Sequence, residues 1–190
     1  MNCNLNEIIK NRRATPPRFL AKTEISKEII QQLLENANWA PTHKSTEPWR
    51  FKVYIGESKQ KLANDINLLL TQKVAEGEPI NSQKIDKFKD ALERVPVAIA
   101  IIFERDAAER LPEWHEIAAV SMAVQNMWLT ATDLGLGAFW STPEFLPLLN
   151  TILEIQPGQK LLGFFYVGYI AMEYPSPGRG DIAAKVVWEE

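Results

Sequence analysis

The chain has little of what would mark a metalloprotein or a disulfide scaffold: one cysteine and two histidines in 190 residues. Cys3 has no partner for an internal disulfide, which favours a reducing, cytoplasmic setting. His43 and His115 are far apart in the chain and no cysteine cluster accompanies them, so a dedicated zinc site is not expected. The stretch HEIAAV lacks a second histidine four residues after His115, which leaves His115-Glu116 as ordinary helix surface. No run approaches the ~20 apolar residues that span a bilayer, and MNCNLNEIIKNRR lacks the apolar core of a secretion signal. Charge of neither sign accumulates: the net charge is −3, without long runs, so neither a nucleic-acid groove nor a membrane-binding face is indicated. No glycine-rich phosphate loop opens a helix after a strand, and there is no serine nucleophile elbow.

What is present is the composition of one globular domain spanning 1–190, with 46% hydrophobic residues. A chain of this length buries roughly 70% of its unfolded surface, enough to fold without metal or disulfide. Leu5, Ile8 and Ile9 give a short first helix ending near Asn11. Ile29, Ile30, Leu33, Leu34 and Ala37 recur at helical spacing behind Ser26, a fitting N-cap, and Pro41 prevents continuation. RFKVYIG alternates as a half-buried strand. Two polar helices follow, around Leu62 to Val74 and Ile85 to Leu92, separated by the exposed GEPIN stretch, where insertion should be tolerated. PVAIAIIF is a continuous apolar run that suits a strand covered on both faces.

The segment from Glu113 to about Leu134 is apolar nearly all round, which predicts a helix in a large core or against another subunit. Gly135 and Gly137 end it, GAFW begins a strand, and Thr142 with Pro143 reads as the start of a further helix. LLGFFYVGYI is the last long strand, before EYPSPGRGD and a terminal VVW. Helices and strands alternate without a repeat, which reads as an α+β or α/β sandwich.

Four features stand out as chemistry. Arg12 and Arg13 are adjacent guanidinium forks suited to a phosphate. WAPTHKSTEPWRF, from Trp39 to Phe51, is polar in its middle and bracketed by Trp and Pro where a short turn would suffice. The turn Trp140-Ser141-Thr142 and Arg179 complete the set. Taken singly, each also reads as solvated surface or as core tryptophan.

Together, IIKNRRAT, the WAPTHKSTEPWRF loop, DLGLGAFWST, LLGFFYVGYI and PSPGRGDIAAKVVW resemble the nitroreductase family of FMN-dependent oxidoreductases, over essentially the whole chain. The resemblance implies a three-layer α/β/α sandwich with a mostly antiparallel sheet, intertwined as a homodimer with two FMN sites at the interface. Arg12, Arg13 and Ala14 would come from one subunit with Trp140, Ser141 and Thr142; Trp39 and His43 would come from its partner. Ala14 stands where the family usually has a serine, so one hydroxyl is missing. Thr42, Ser45 and Glu47 occupy the Ser, Asn and Gln positions of the family's loop. Arg179 matches a basic residue that reaches the phosphate in some members, and Arg18 is a candidate charge near the reduced flavin. The implied activity is hydride transfer from NADH or NADPH to nitro-aromatic, quinone or related small-molecule acceptors by a ping-pong route, with no catalytic side chain or metal assigned. Another flavin-dependent oxidoreduction, on an aldehyde, an enone or a carbon–halogen bond, fits the same residues. A cofactor-free helical binding module is the third reading, and flavin retention separates it from the other two.

Overall fold

A computed structural model describes residues 4–175 and 178–189; Cys3 lies outside the described residues. Helix α1 (Leu5–Asn11) starts where the Asn4 side chain accepts the Asn6 N–H at 3.1 Å. Helix α2 (Lys27–Asn38) begins as its sequence implies, with the Ser26 hydroxyl accepting from the Ile29 N–H. Ile25 and Ile30, on either side of that cap, both enter the core. Strand β1 (Trp49–Ile55), helices α3 (Gly56–Ala75) and α4 (Ser82–Arg94), strand β2 (Val97–Glu104), helix α5 (Glu113–Asp133) and strands β3 (Leu136–Ser141) and β4 (Gln159–Tyr169) follow in order.

The strands form one antiparallel sheet in the order β1-β2-β4-β3. Its central strand β2 is buried on both sides, and its alternation divides the core in two. Val97, Ile99, Ile101 and Phe103 face α2 and α5, while Ala98 and Ala100 face α3 and α4. The result is the three-layer α+β sandwich. Residue by residue, β4 departs from regular pairing at one place: Ile101 pairs with Gly163 and Ile102 with Leu161, so Leu162 is an extra residue in the ladder.

One expected element is absent. No α-helix starts at Pro143; the chain makes a turn and a short 3-10 segment, Leu146–Leu149, entered from Phe145 rather than Thr142. Pro147 explains this, because it has no N–H to return to Pro143, the bond an α-helix would need there. The bonds that form instead run three residues back, from Leu146 N–H to the Pro143 carbonyl (3.1 Å) and from Leu148 N–H to that of Phe145 (3.0 Å).

Candidate functional site

After α1 the chain turns extended at Arg12 and runs beside the open edge of the sheet. Ala14 forms a parallel bridge with Ala138, and the Thr15 N–H donates to the Ala138 carbonyl at 2.8 Å. Trp128 of α5 fixes this passage twice: its indole N–H donates to the Arg13 carbonyl at 2.8 Å, and the Arg12 guanidinium lies 4.8 Å over its ring. Arg13 donates to the carbonyls of Arg12 and Lys10. The two arginines face a hollow of about 380 Å³ that Lys10, Gln125 and Arg179 also line. Partial burial, then the charges of Arg179 and Arg13, hold the Arg12 guanidinium below its ordinary pKa. Four basic side chains surround this hollow, with Arg179 beside the arginine pair. Lys10 and Gln125 were not expected there. Lys10 was legible in the run Lys-Asn-Arg-Arg, whereas Gln125 arrives only through the packing of α5.

The segment Trp140-Ser141-Thr142 lies further along the same sheet edge. The Trp140 indole N–H donates to the Leu162 carbonyl at 3.0 Å, and it can lie there because Gly163 has no side chain. A Cβ at Gly163 would come within 2.4 Å of the Ser141 carbonyl and 2.6 Å of the Trp140 indole nitrogen. Ser141 and Thr142 border a second hollow, of about 550 Å³, with Phe88, Phe139 and Tyr166. Lys84 and Lys87 of α4 line it as well, and Lys84 pairs with Glu144 at 2.5 Å. Burial pushes the Tyr166 phenol far above its usual pKa, with Ser141 partly opposing. Arg18 lies over the ring of its neighbour Phe19 and lines neither hollow; Pro17 lines the second.

The loop between α2 and β1 is held in an unusual shape. Lys44, Ser45 and Glu47 all have positive φ, at 55°, 51° and 42°, a conformation that costs non-glycine residues energy and that surrounding bonds must enforce. Those bonds are present. The Lys44 ammonium donates to the Arg110 carbonyl (3.1 Å), the Glu47 N–H to the Thr42 hydroxyl (3.1 Å), and the Arg50 guanidinium to the Glu47 carbonyl (2.8 Å). The two tryptophans at its ends separate: Trp49 is 5% exposed and donates to Asn38, while Trp39 is 85% exposed. His43 stacks on His115 with ring centroids 5.7 Å apart, so the two histidines distant in sequence are neighbours in space. They share a third hollow with Pro41, Trp114 and Met122. Trp39, His43 and Ser45 therefore do not line the arginine hollow of their own chain.

Glu116 corrects a second expectation. It is not helix surface but is 1% exposed, with its carboxylate taking the Arg105 guanidinium and the Asp106 N–H (3.0 Å). Among the described residues there is no cluster of three or more His, Cys, Asp or Glu side chains placed to hold a metal, and no helix long and apolar enough to cross a membrane.

The chain is thus a three-layer antiparallel α+β domain with four basic side chains around a hollow at one end of a sheet edge and a polar turn at the other. Residues 9–169 match the model of the nitroreductase family, and the chain belongs to that family. It is 30% identical over 167 residues to YfhC of Bacillus subtilis (strain 168), a protein named for NAD(P)H nitroreductase activity; the match covers 87% of this chain and 84% of that one. The crystal structure of a nitroreductase-like protein from Bacillus cereus superposes with a TM-score of 0.84 at 26% identity, covering 100% of this chain and 98% of the other. A nitroreductase from Desulfovibrio desulfuricans, solved in complex with FMN, shares the fold at 22% identity, with a TM-score of 0.75 and coverage of 100% and 99%.

Proposed function

We propose that this protein is an FMN-dependent oxidoreductase that takes a hydride from NADH or NADPH and reduces nitro-aromatic, quinone or related acceptors. It would act in a reducing, cytoplasmic setting as a homodimer, with 1–190 as one cofactor-binding domain. The observation that carries this is the convergence of Arg12, Arg13 and Arg179 on one hollow at the start of the sheet edge that ends in Trp140-Ser141-Thr142. Arg12 stands two residues before the Ala14–Ala138 bridge and Thr142 four residues beyond it, in the same direction. Six residues of extended chain span roughly 20 Å, room for an elongated mononucleotide lying along β3.

The residues fit that cofactor. Burial, and then the neighbouring charges of Arg179 and Arg13, lower the Arg12 pKa, and a phosphate dianion between the guanidinium groups would favour their charged form. Ala14 offers backbone rather than a hydroxyl. Trp140, Ser141 and Thr142 would hold the flavin end of the cofactor, which when bound would supply the two-electron chemistry that lets hydride donor and acceptor use one pocket in turn. Trp39, His43 and Ser45, on a preformed loop away from their own arginine hollow, serve the site of the second copy. The exposed Trp39, Trp114 and Met122 support that contact. The names of the B. subtilis and D. desulfuricans proteins support the hydride donor and the cofactor.

The test is the visible spectrum of the purified protein after FMN is added and the excess removed, repeated anaerobically with each nicotinamide nucleotide. A retained flavin band that bleaches with NADH or NADPH is expected. A colourless protein would return the arginines to surface charge.

A further inference from the structure

Glu116 is a buried charge that the flavin reading does not use. It lies in the first turn of α5 with its side chain fully covered, and each carboxylate oxygen has a donor. The Arg105 guanidinium donates to one, and the Asp106 N–H donates to the other at 3.0 Å. The same guanidinium donates to the Leu111 carbonyl at 2.6 Å. One carboxylate thus ties down both ends of the connection from β2 to α5. That connection needs tying, because Glu109 within it has a φ of 47°, a shape that a non-glycine residue holds only under constraint. Apolar side chains of similar size often fill the place of a buried ion pair with no loss of stability. What they lack is direction.

The connection carries the outer support of the loop between α2 and β1. The Arg110 carbonyl accepts from the Lys44 ammonium at 3.1 Å, and His115, next to Glu116, brings its Nδ1 within 3.5 Å of that of His43. His43–Ser45 is a single short 3-10 turn in which Lys44 and Ser45 both have positive φ, so it does not keep its shape unaided. Two of its supports come from the stretch that Glu116 fixes from beneath.

We propose that Glu116 is a positioning residue for the cofactor site of the second copy. The buried Glu116–Arg105 pair sets the Arg110 carbonyl and His115, these set His43 and Ser45, and the site so served is the one whose phosphate arginines belong to the other chain. The inference rests on the reading that this loop crosses to the second copy. Its mark is that the effect of a buried residue appears on the opposite subunit, which a purely stabilising role does not produce.

Glu116→Gln removes the charge, and Lys44→Met removes the bond to the Arg110 carbonyl at the surface, leaving the core untouched. As a homodimer, Glu116→Gln should weaken FMN binding about tenfold, the worth of one charged hydrogen bond. Lys44→Met should weaken it less and melt with the parent. Mixed dimers give the direction. With Glu116→Gln on one subunit and Arg12→Ala on the other, both changes fall on one site, and the dimer should retain one tightly bound flavin. With both on the same subunit, each site carries one change and neither is tight. The opposite pattern, or unchanged FMN affinity in both single variants, overturns the proposal. If Glu116→Gln does not fold, Lys44→Met in the same mixed dimers decides. If the wild type itself retains no flavin, it is the cofactor reading that has failed, and hydrogen exchange then decides the positioning alone. The Thr46 and Glu47 amides, both bonded within the loop, should exchange about tenfold faster in Glu116→Gln while those of β2 and α2 keep their protection. Unchanged exchange in the loop, or protection lost throughout the chain, would overturn it.

Discussion

Gly163 governs the shape of the 140–142 turn although it has no side chain to place there. Its φ of 134° is one that side chains resist, and the space where a Cβ would stand is taken by the Ser141 carbonyl and the Trp140 indole. Gly163→Ala should cost about 2–4 kcal/mol from backbone strain and overpacking together. For a chain of this size that lowers the melting temperature by roughly 4–16 °C. Flavin retention should fall with it, because Trp140 loses its seat on the Leu162 carbonyl; a thermal scan and the flavin band read the two effects separately. The sequence offered Trp140 as a candidate site residue. The fate of the Tyr166 hydroxyl was not legible there: within LLGFFYVGYI a tyrosine satisfies the apolar pattern as a phenylalanine would, and only the packed neighbours show how deeply its oxygen is buried.

The helices and strands themselves were readable wherever one periodicity ran uninterrupted. Ser26 capped α2, the all-apolar run became β2, and α5 began and ended close to Glu113 and Leu134. Expectation failed where the deciding contact was a missing N–H, as at Pro147, or a partner across a connecting loop, as for Glu116 and Arg105. That loop carries its own pH response. The Arg110 side chain, bonded to Asp106 at 2.7 Å, holds that carboxyl at about 2, below the ordinary 3.8. A depressed carboxyl pKa stabilises the fold above the ordinary value and loses that contribution as pH falls toward the folded value. Asp106→Asn should therefore be less stable than the parent at pH 7. The gap should close between about pH 4 and pH 2 in denaturant titrations. A gap that persists unchanged at pH 2 would mean that the Asp106–Arg110 pair does not set it.

At the scale of the whole molecule, α5 buries Val120, Val124 and Met127 within the chain yet leaves Trp114 and Met122 uncovered, and Trp39 at the end of α2 is exposed as well. The sequence showed that this helix was apolar on too many sides; the structure shows which side the chain leaves uncovered. The proposed exchange of residues across a two-fold makes a quantitative demand. Arg12→Ala alone should weaken FMN retention by about 1.5–3 kcal/mol, the worth of a charge-assisted hydrogen bond. A mixed dimer with Arg12→Ala on one subunit and His43→Ala on the other concentrates both changes in one site and spares the other. It should hold one tightly bound flavin per dimer, measured by absorbance after gel filtration; two sites, each weakened by one of the changes, would place His43 and Arg12 at the same subunit's cofactor. The extra residue at Leu162 also bears on how this architecture persists. A regular antiparallel pair can slide by two residues and keep every side chain on its proper face. The odd residue in β4 opposes such a slide past β2, so the alignment of these two strands is pinned by a residue that lines none of the three hollows.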